Sequence, residues 1–77
     1  MSSVVPLAML SEGEEGKIVS INAGFGLSRR LAELGFNPGT RIKVLRCGNG
    51  PILVMIRDGR VALGRGVAMK IFVEREK

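Results

Sequence analysis

Between residues 27 and 34 the apolar side chains recur at helical spacing, and from residue 41 onward they alternate or run together as they do in strands. Leu27, Leu31 and Leu34 stand at i, i+4 and i+7 and line one face of two helical turns, while Ser28, Arg29 and Glu33 point elsewhere. Gly35 is placed to end that helix at positive φ, which its missing Cβ allows. Asn37-Pro38-Gly39-Thr40 reads as a type II turn: proline pre-sets φ at the first central position and glycine accepts positive φ at the second. Arg41 to Arg46 then alternates as a half-buried strand does, with Ile42 and Val44 on one face and Arg41, Lys43 and Leu45 on the other. Leu45 is the odd apolar member of the outer set.

Upstream, Met1 to Val5 reads as a loose end, and Pro6 to Leu10 enters the domain before a polar turn at Ser11 to Gly16. Lys17 to Ile21 predicts a short strand, and Asn22-Ala23-Gly24-Phe25-Gly26 is a glycine-rich connection into the helix. Downstream, Gly48-Asn49-Gly50-Pro51 breaks the chain, and Ile52 to Ile56 is apolar on both faces, the pattern of a central or doubly covered strand. Asp58-Gly59, between Arg57 and Arg60, predicts a type I′ hairpin whose two central residues tolerate positive φ, with Val61 to Leu63 as the return strand. Gly64 to Lys70 predicts one helical turn and Ile71 to Glu74 a last strand. The expected architecture is mainly β, a small SH3-like barrel of about five short antiparallel strands with one short α-helix inserted after the first.

Length limits how much the chain can carry. Its 77 residues make one domain, and a chain of that size buries only about 60% of the surface exposed when unfolded. Eleven glycines and three prolines suit a small closed sheet joined by tight turns. Phe36 and Phe72 adjoin or lie within apolar elements and are expected in the core. The single cysteine, Cys47, has no partner for an intramolecular disulfide. The first ten residues lack a basic start followed by a long apolar run, which makes the cytoplasm the expected compartment. The longest uninterrupted apolar run, Ile52 to Ile56, is far short of the ~20 residues a transmembrane helix needs.

The side-chain inventory argues against catalysis and against a tight metal site. Histidine is absent, and the carboxylates Glu12, Glu14, Glu15, Glu33, Asp58, Glu74 and Glu76 include no His/Cys pairing at ligand spacing. Glu12, Glu14 and Glu15 cluster near one turn, which reads as a solvated acidic turn, since a hard cation needs about six oxygen ligands. Without histidine, Ser20, Ser28 and Cys47 have no ordinary base to activate them. Gly24-Phe25-Gly26 opens a helix, but Arg29 stands where the dinucleotide fingerprint needs its third glycine. Gly59 and Gly64 have the Walker A spacing, yet Arg65-Gly66 follows them instead of a lysine and a hydroxyl residue. The helix start near Leu27, with Arg29 and Arg30, suits an anion, but glycines that merely fit a tight connection explain it better.

Charge adds a surface question. Twelve Lys and Arg against seven acidic residues give +5, and Arg41, Lys43, Arg46, Arg57, Arg60 and Arg65 fall in the second half of the chain, which suggests a positive barrel face. Such a face suits nucleic acid or an acidic protein surface. Small barrels that bind single strands use stacking aromatics, and this chain has three phenylalanines and no Tyr or Trp, so nucleic acid is not the expected partner.

The order Leu31-Ala32-Glu33-Leu34-Gly35-Phe36-Asn37-Pro38-Gly39 leading into an apolar strand resembles the FeoA family, small accessory proteins of bacterial and archaeal ferrous iron transport. The likeness continues through Gly50-Pro51-Ile52, the hairpin Arg57 to Leu63 and the closing Ala68-x-x-Ile71-x-Val73, so it spans Leu7 to Glu74. It implies an SH3-like fold and a non-enzymatic adaptor. The implied partner is the FeoB transporter, a membrane protein with a cytoplasmic GTPase domain, and membrane association would come only through that transporter. The family's link to ferrous iron and other transition metals does not bring a recognisable ligand set here, so no tightly bound cofactor is expected. Candidate partner contacts are Arg29, Arg30 and Glu33 on the helix face away from the leucines, with Leu45 as an outward apolar anchor. Self-association is compatible with this reading. The alternatives are a small basic barrel that binds nucleic acid and a regulatory module resembling the C-terminal domain of metal-dependent repressors.

Overall fold

In the computed structural model, which describes residues 3–76, β1 (Val4–Pro6) and a 3₁₀ turn (Leu7–Met9) precede β2 (Glu15–Ile21) and α1 (Phe25–Glu33). Then come β3 (Arg41–Arg46), β4 (Ile52–Ile56), β5 (Gly59–Leu63), α2 (Arg65–Ala68) and β6 (Ile71–Glu76). All neighbouring strands pair antiparallel in the order β1-β6-β2-β3-β4-β5.

The end of α1 is written locally. Gly35 takes φ 106°, its N–H donates to Ala32 O at 3.0 Å, and the N–H of Phe36 donates to Leu31 O at 2.9 Å. Those two bonds satisfy carbonyls that a helix end otherwise leaves open, the Schellman arrangement. Its usual apolar contact is also present, because Phe36 and Leu31 share the core. The next turn follows as the sequence implies: Gly39 stands at φ 92° and the Thr40 N–H donates to Asn37 O at 3.0 Å. The turn is stitched to β2, since Gly39 N–H donates to Ile18 O and Ile18 N–H donates to Thr40 O.

The inward residues of β2 to β6, with Leu7, Leu10, Leu31, Phe36 and Ala68, form one buried cluster around which the sheet curls. The fold is mainly β and SH3-like, but the sheet does not close. β1 and β5 are both edges. The 3₁₀ turn that follows β1 packs on α2, which follows β5, and buried Leu7 and Ala68 come from these two segments. Side-chain packing there takes the place of a final ladder of hydrogen bonds.

Several expectations need correction. Among the described residues there are six strands, because Val4 and Val5, read as part of a loose end, pair with Glu74 and Val73; Met1 and Ser2 lie outside the described residues. The hairpin loop is Arg57-Asp58, since Gly59 already pairs with Ile56, and of the two only Arg57 has positive φ, 55°. A turn centred on Asp58-Gly59 would set Arg57 opposite Arg60, and facing like charges are unfavourable. The register adopted puts Arg60 opposite Met55. β4 is covered on one face only: Ile52, Val54 and Ile56 are buried, while Leu53 is half-buried and Met55 exposed. Phe72 is half-buried on the outer face, because its neighbours Ile71 and Val73 take the inward positions. Leu34 is 46% exposed, because Gly35 turns the chain so that Phe36, not Leu34, meets Leu31 in the core.

Candidate functional site

α1 is capped by Gly24, whose carbonyl accepts the Ser28 N–H at 2.9 Å, and Ser28 Oγ fastens the start by donating to Ala23 O at 3.1 Å. Gly24 has φ −64°, and a side chain at Gly24 or Gly26 would meet open space. Sterics therefore do not demand glycine at either position. Their consequence is outward: Phe25 stands between two residues without side chains and is 82% exposed.

With Leu31 buried and Leu27 packed on the core, the other face of α1 is left uncovered. Phe25, Arg29 and Glu33 follow one another at i, i+4 and i+8, and Arg30 lies beside them four residues before Leu34. Arg29 Nε is 3.8 Å from Glu33 Oε2. Both side chains are solvated, so the pair contributes at most about 0.5 kcal/mol. Among the described residues Arg30 has no carboxylate within ion-pairing distance. An exposed aromatic, Phe25, and a free arginine on the same helix are residue types that dominate protein interfaces. Sequence reasoning missed Phe25 as a surface group, although its place two residues before Leu27 sets it across the helix from the leucine stripe.

Leu45 lies on β3, not on α1. It is half-buried at a bulge between Val44 and Arg46, about 13 Å along β3 from Arg41, where the chain arrives from α1. The basic residues of the second half do not form one face either. Arg41 Nε is 3.5 Å from Glu76 Oε2, Arg57 lies against Gly35, and Arg65 Nε donates to Gly48 O at 3.2 Å. The outer surface of the sheet mixes Lys17, Arg41, Lys43 and Arg60 with Glu15 and Glu74.

The acidic turn is structural in part. Glu14 Oε1 accepts the Ser11 N–H at 2.7 Å and Glu14 Oε2 is 3.4 Å from Arg75 Nε. Glu12 Oε2 accepts the Cys47 N–H at 3.1 Å, tying this turn to the end of β3. The solvated turn of the sequence reading is thus a clamp at two of its three carboxylates. Among the described residues no three His, Cys, Asp or Glu side chains come together as a metal would need. A depression lined by Gly13, Glu14, Glu15, Arg41 and Glu76 lies beside these groups, and its one cation already faces Glu76.

Fold and surface together define a small SH3-like β domain whose distinguishing exposed feature is the outer side of a helix. The chain belongs to the FeoA family, whose FeoA domain matches residues 5–75, and the family's proteins are accessories of ferrous iron transport. It is 46% identical over 69 residues to a Methanocaldococcus jannaschii protein named for Fe(2+) transport as protein A, covering 90% of this chain and 84% of that one. A crystal structure of an iron uptake regulatory protein, FeoA, superposes with a TM-score of 0.91 at 33% identity, over 96% of this chain and 100% of the other. The zinc complex of Stenotrophomonas maltophilia FeoA, described as a procaryotic SH3 domain protein, gives 0.78 at 28% identity, over 95% and 88%. A manganese-dependent transcriptional repressor gives 0.86 at 28% identity, over 99% of this chain and 44% of its own. Among the described residues no helix is long and apolar enough to cross a membrane.

Proposed function

We propose that this protein is a non-enzymatic, cytoplasmic adaptor of ferrous iron uptake that binds the cytoplasmic part of a FeoB-type transporter and regulates it. The observation that carries this reading is the family match over residues 5–75. The uncovered face of α1 supplies a docking surface of suitable composition: Phe25 as the apolar anchor, with Arg30 free to meet an acidic group. No step of this role needs a tightly bound metal, and the described residues offer no ligand cluster to hold one.

The test is capture of the detergent-solubilised, full-length transporter of the same organism by immobilised protein. Wild type retains it, whereas Arg30→Glu and Phe25→Ser lose about tenfold or more in affinity, as loss of an interface hot spot does, with circular dichroism melts unchanged. Failure of wild type to retain the transporter would remove the reading.

The likeness to the manganese-dependent repressor supports a second reading, a metal-responsive regulatory module. It predicts that Mn(II) or Fe(II) raises the melting temperature, which the adaptor reading does not.

A further inference from the structure

The two edges of the sheet are unlike. β1 has three residues and ends in Pro6, which carries no N–H to offer. β5 has five residues without proline, and Gly59, Arg60 and Ala62 are exposed with Val61 half-buried. Its backbone bonds run to β4. On the side away from β4, no N–H or C=O of residues 59–63 has a partner among the described residues. A regular, unprotected edge of this kind is a template for another strand.

Charge says what that strand must carry. Glu15, Lys43, Met55 and Arg60 are successive cross-strand neighbours on the outer face. Lys43 has Glu15 beside it, whereas Arg60 has Met55 on one side and an empty strand position on the other. No carboxylate lies within ion-pairing distance of Arg60 among the described residues. In the next outward row Arg46, Leu53 and Ala62 are neighbours, so the position beyond Ala62 calls for an apolar group. A second copy of this chain does not meet the need: it carries the same net charge of +5, and its β5 holds no carboxylate.

We propose that β5 accepts an extended segment of the transporter's cytoplasmic part, bearing an acidic side chain beside Arg60 and an apolar one two residues away beside Ala62. This rests on the adaptor reading. The C-terminal end of α1 lies near β5, because a Cβ at Gly35 would stand 3.4 Å from Cδ of Arg57, just before β5, so one partner can reach both elements.

The test is amide hydrogen exchange of the full chain with and without the full-length transporter in nanodiscs, together with affinity measurements on Arg60→Glu. Exchange at residues 59–63 slows at least tenfold on binding, and Arg60→Glu loses at least tenfold in affinity with an unchanged melt. Binding that leaves β5 exchange unchanged, or full affinity in Arg60→Glu, overturns the proposal while the adaptor reading stands. Slowed exchange at β5 in concentrated protein alone assigns the edge to a second copy and likewise overturns it. No binding by wild type removes both readings.

Discussion

Arg57 lies against Gly35: a Cβ at Gly35 would stand 3.4 Å from Arg57 Cδ, and both residues have positive φ, 55° and 106° respectively. The helix end and the β4–β5 hairpin thus meet at two backbones in the left-handed region, of which only one belongs to a residue suited to it.

Gly35→Ala should destabilise the domain by about 1–2 kcal/mol, from the cost of positive φ in a residue with a Cβ. Arg57→Gly should cost nothing and gain up to about 1 kcal/mol, because it relieves the same strain at the loop. Urea denaturation of both variants checks the pair. Wild-type stability in Gly35→Ala contradicts the account of the helix stop.

The leucine stripe divides by mutation. Leu31, 2% exposed, should lose about 2–5 kcal/mol on Leu31→Ala, the range for a buried leucine leaving a cavity. Leu34→Ala should stay within about 0.5 kcal/mol, as solvent-facing substitutions do. Equal losses in thermal melts would mean that Leu34 packs in the core after all.

Chelation should leave stability untouched. A structural metal contributes its binding energy to folding, so its removal would lower the melting temperature. EDTA is expected to produce no shift in the purified protein. A drop reversed by ferrous iron or zinc would reveal a bound metal.

Oligonucleotides should not be retained at near-physiological salt. Phosphate contacts need clustered cations and lose affinity steeply as salt rises, and here Arg41 faces Glu76 while Arg65 is engaged at Gly48. Sub-micromolar, sequence-dependent shifts in a gel titration would reverse this expectation.

What the sequence makes legible is what neighbours in the chain decide. Gly35 and Gly39 adopt the positive φ their contexts ask for, and β3 and β4 have the bounds their patterns imply. What depends on distant partners is not legible. Val4-Val5-Pro6 is too short to announce a strand, and it becomes one only because β6 offers an edge. Asp58-Gly59 carries a strong local turn signal, yet the β4–β5 register is chosen by which side chains face each other across the strands. Leu45 sits on the outer side of an alternating pattern, but a bulge beside it breaks that alternation. At the helix the surface residues Arg29, Arg30 and Glu33 could be placed by periodicity alone, whereas Leu34 could not, because the reversal at Gly35 gives its inward place to Phe36.

The meeting of the 3₁₀ turn and α2 between the two sheet edges gives the molecule an uneven response to temperature. Apolar association weakens on cooling, so chilling loosens this junction before it loosens the hydrogen-bonded ladders. Cold, more than mild warming, is therefore expected to open the contact between the two edges while β1 stays laddered to β6 and β5 to β4.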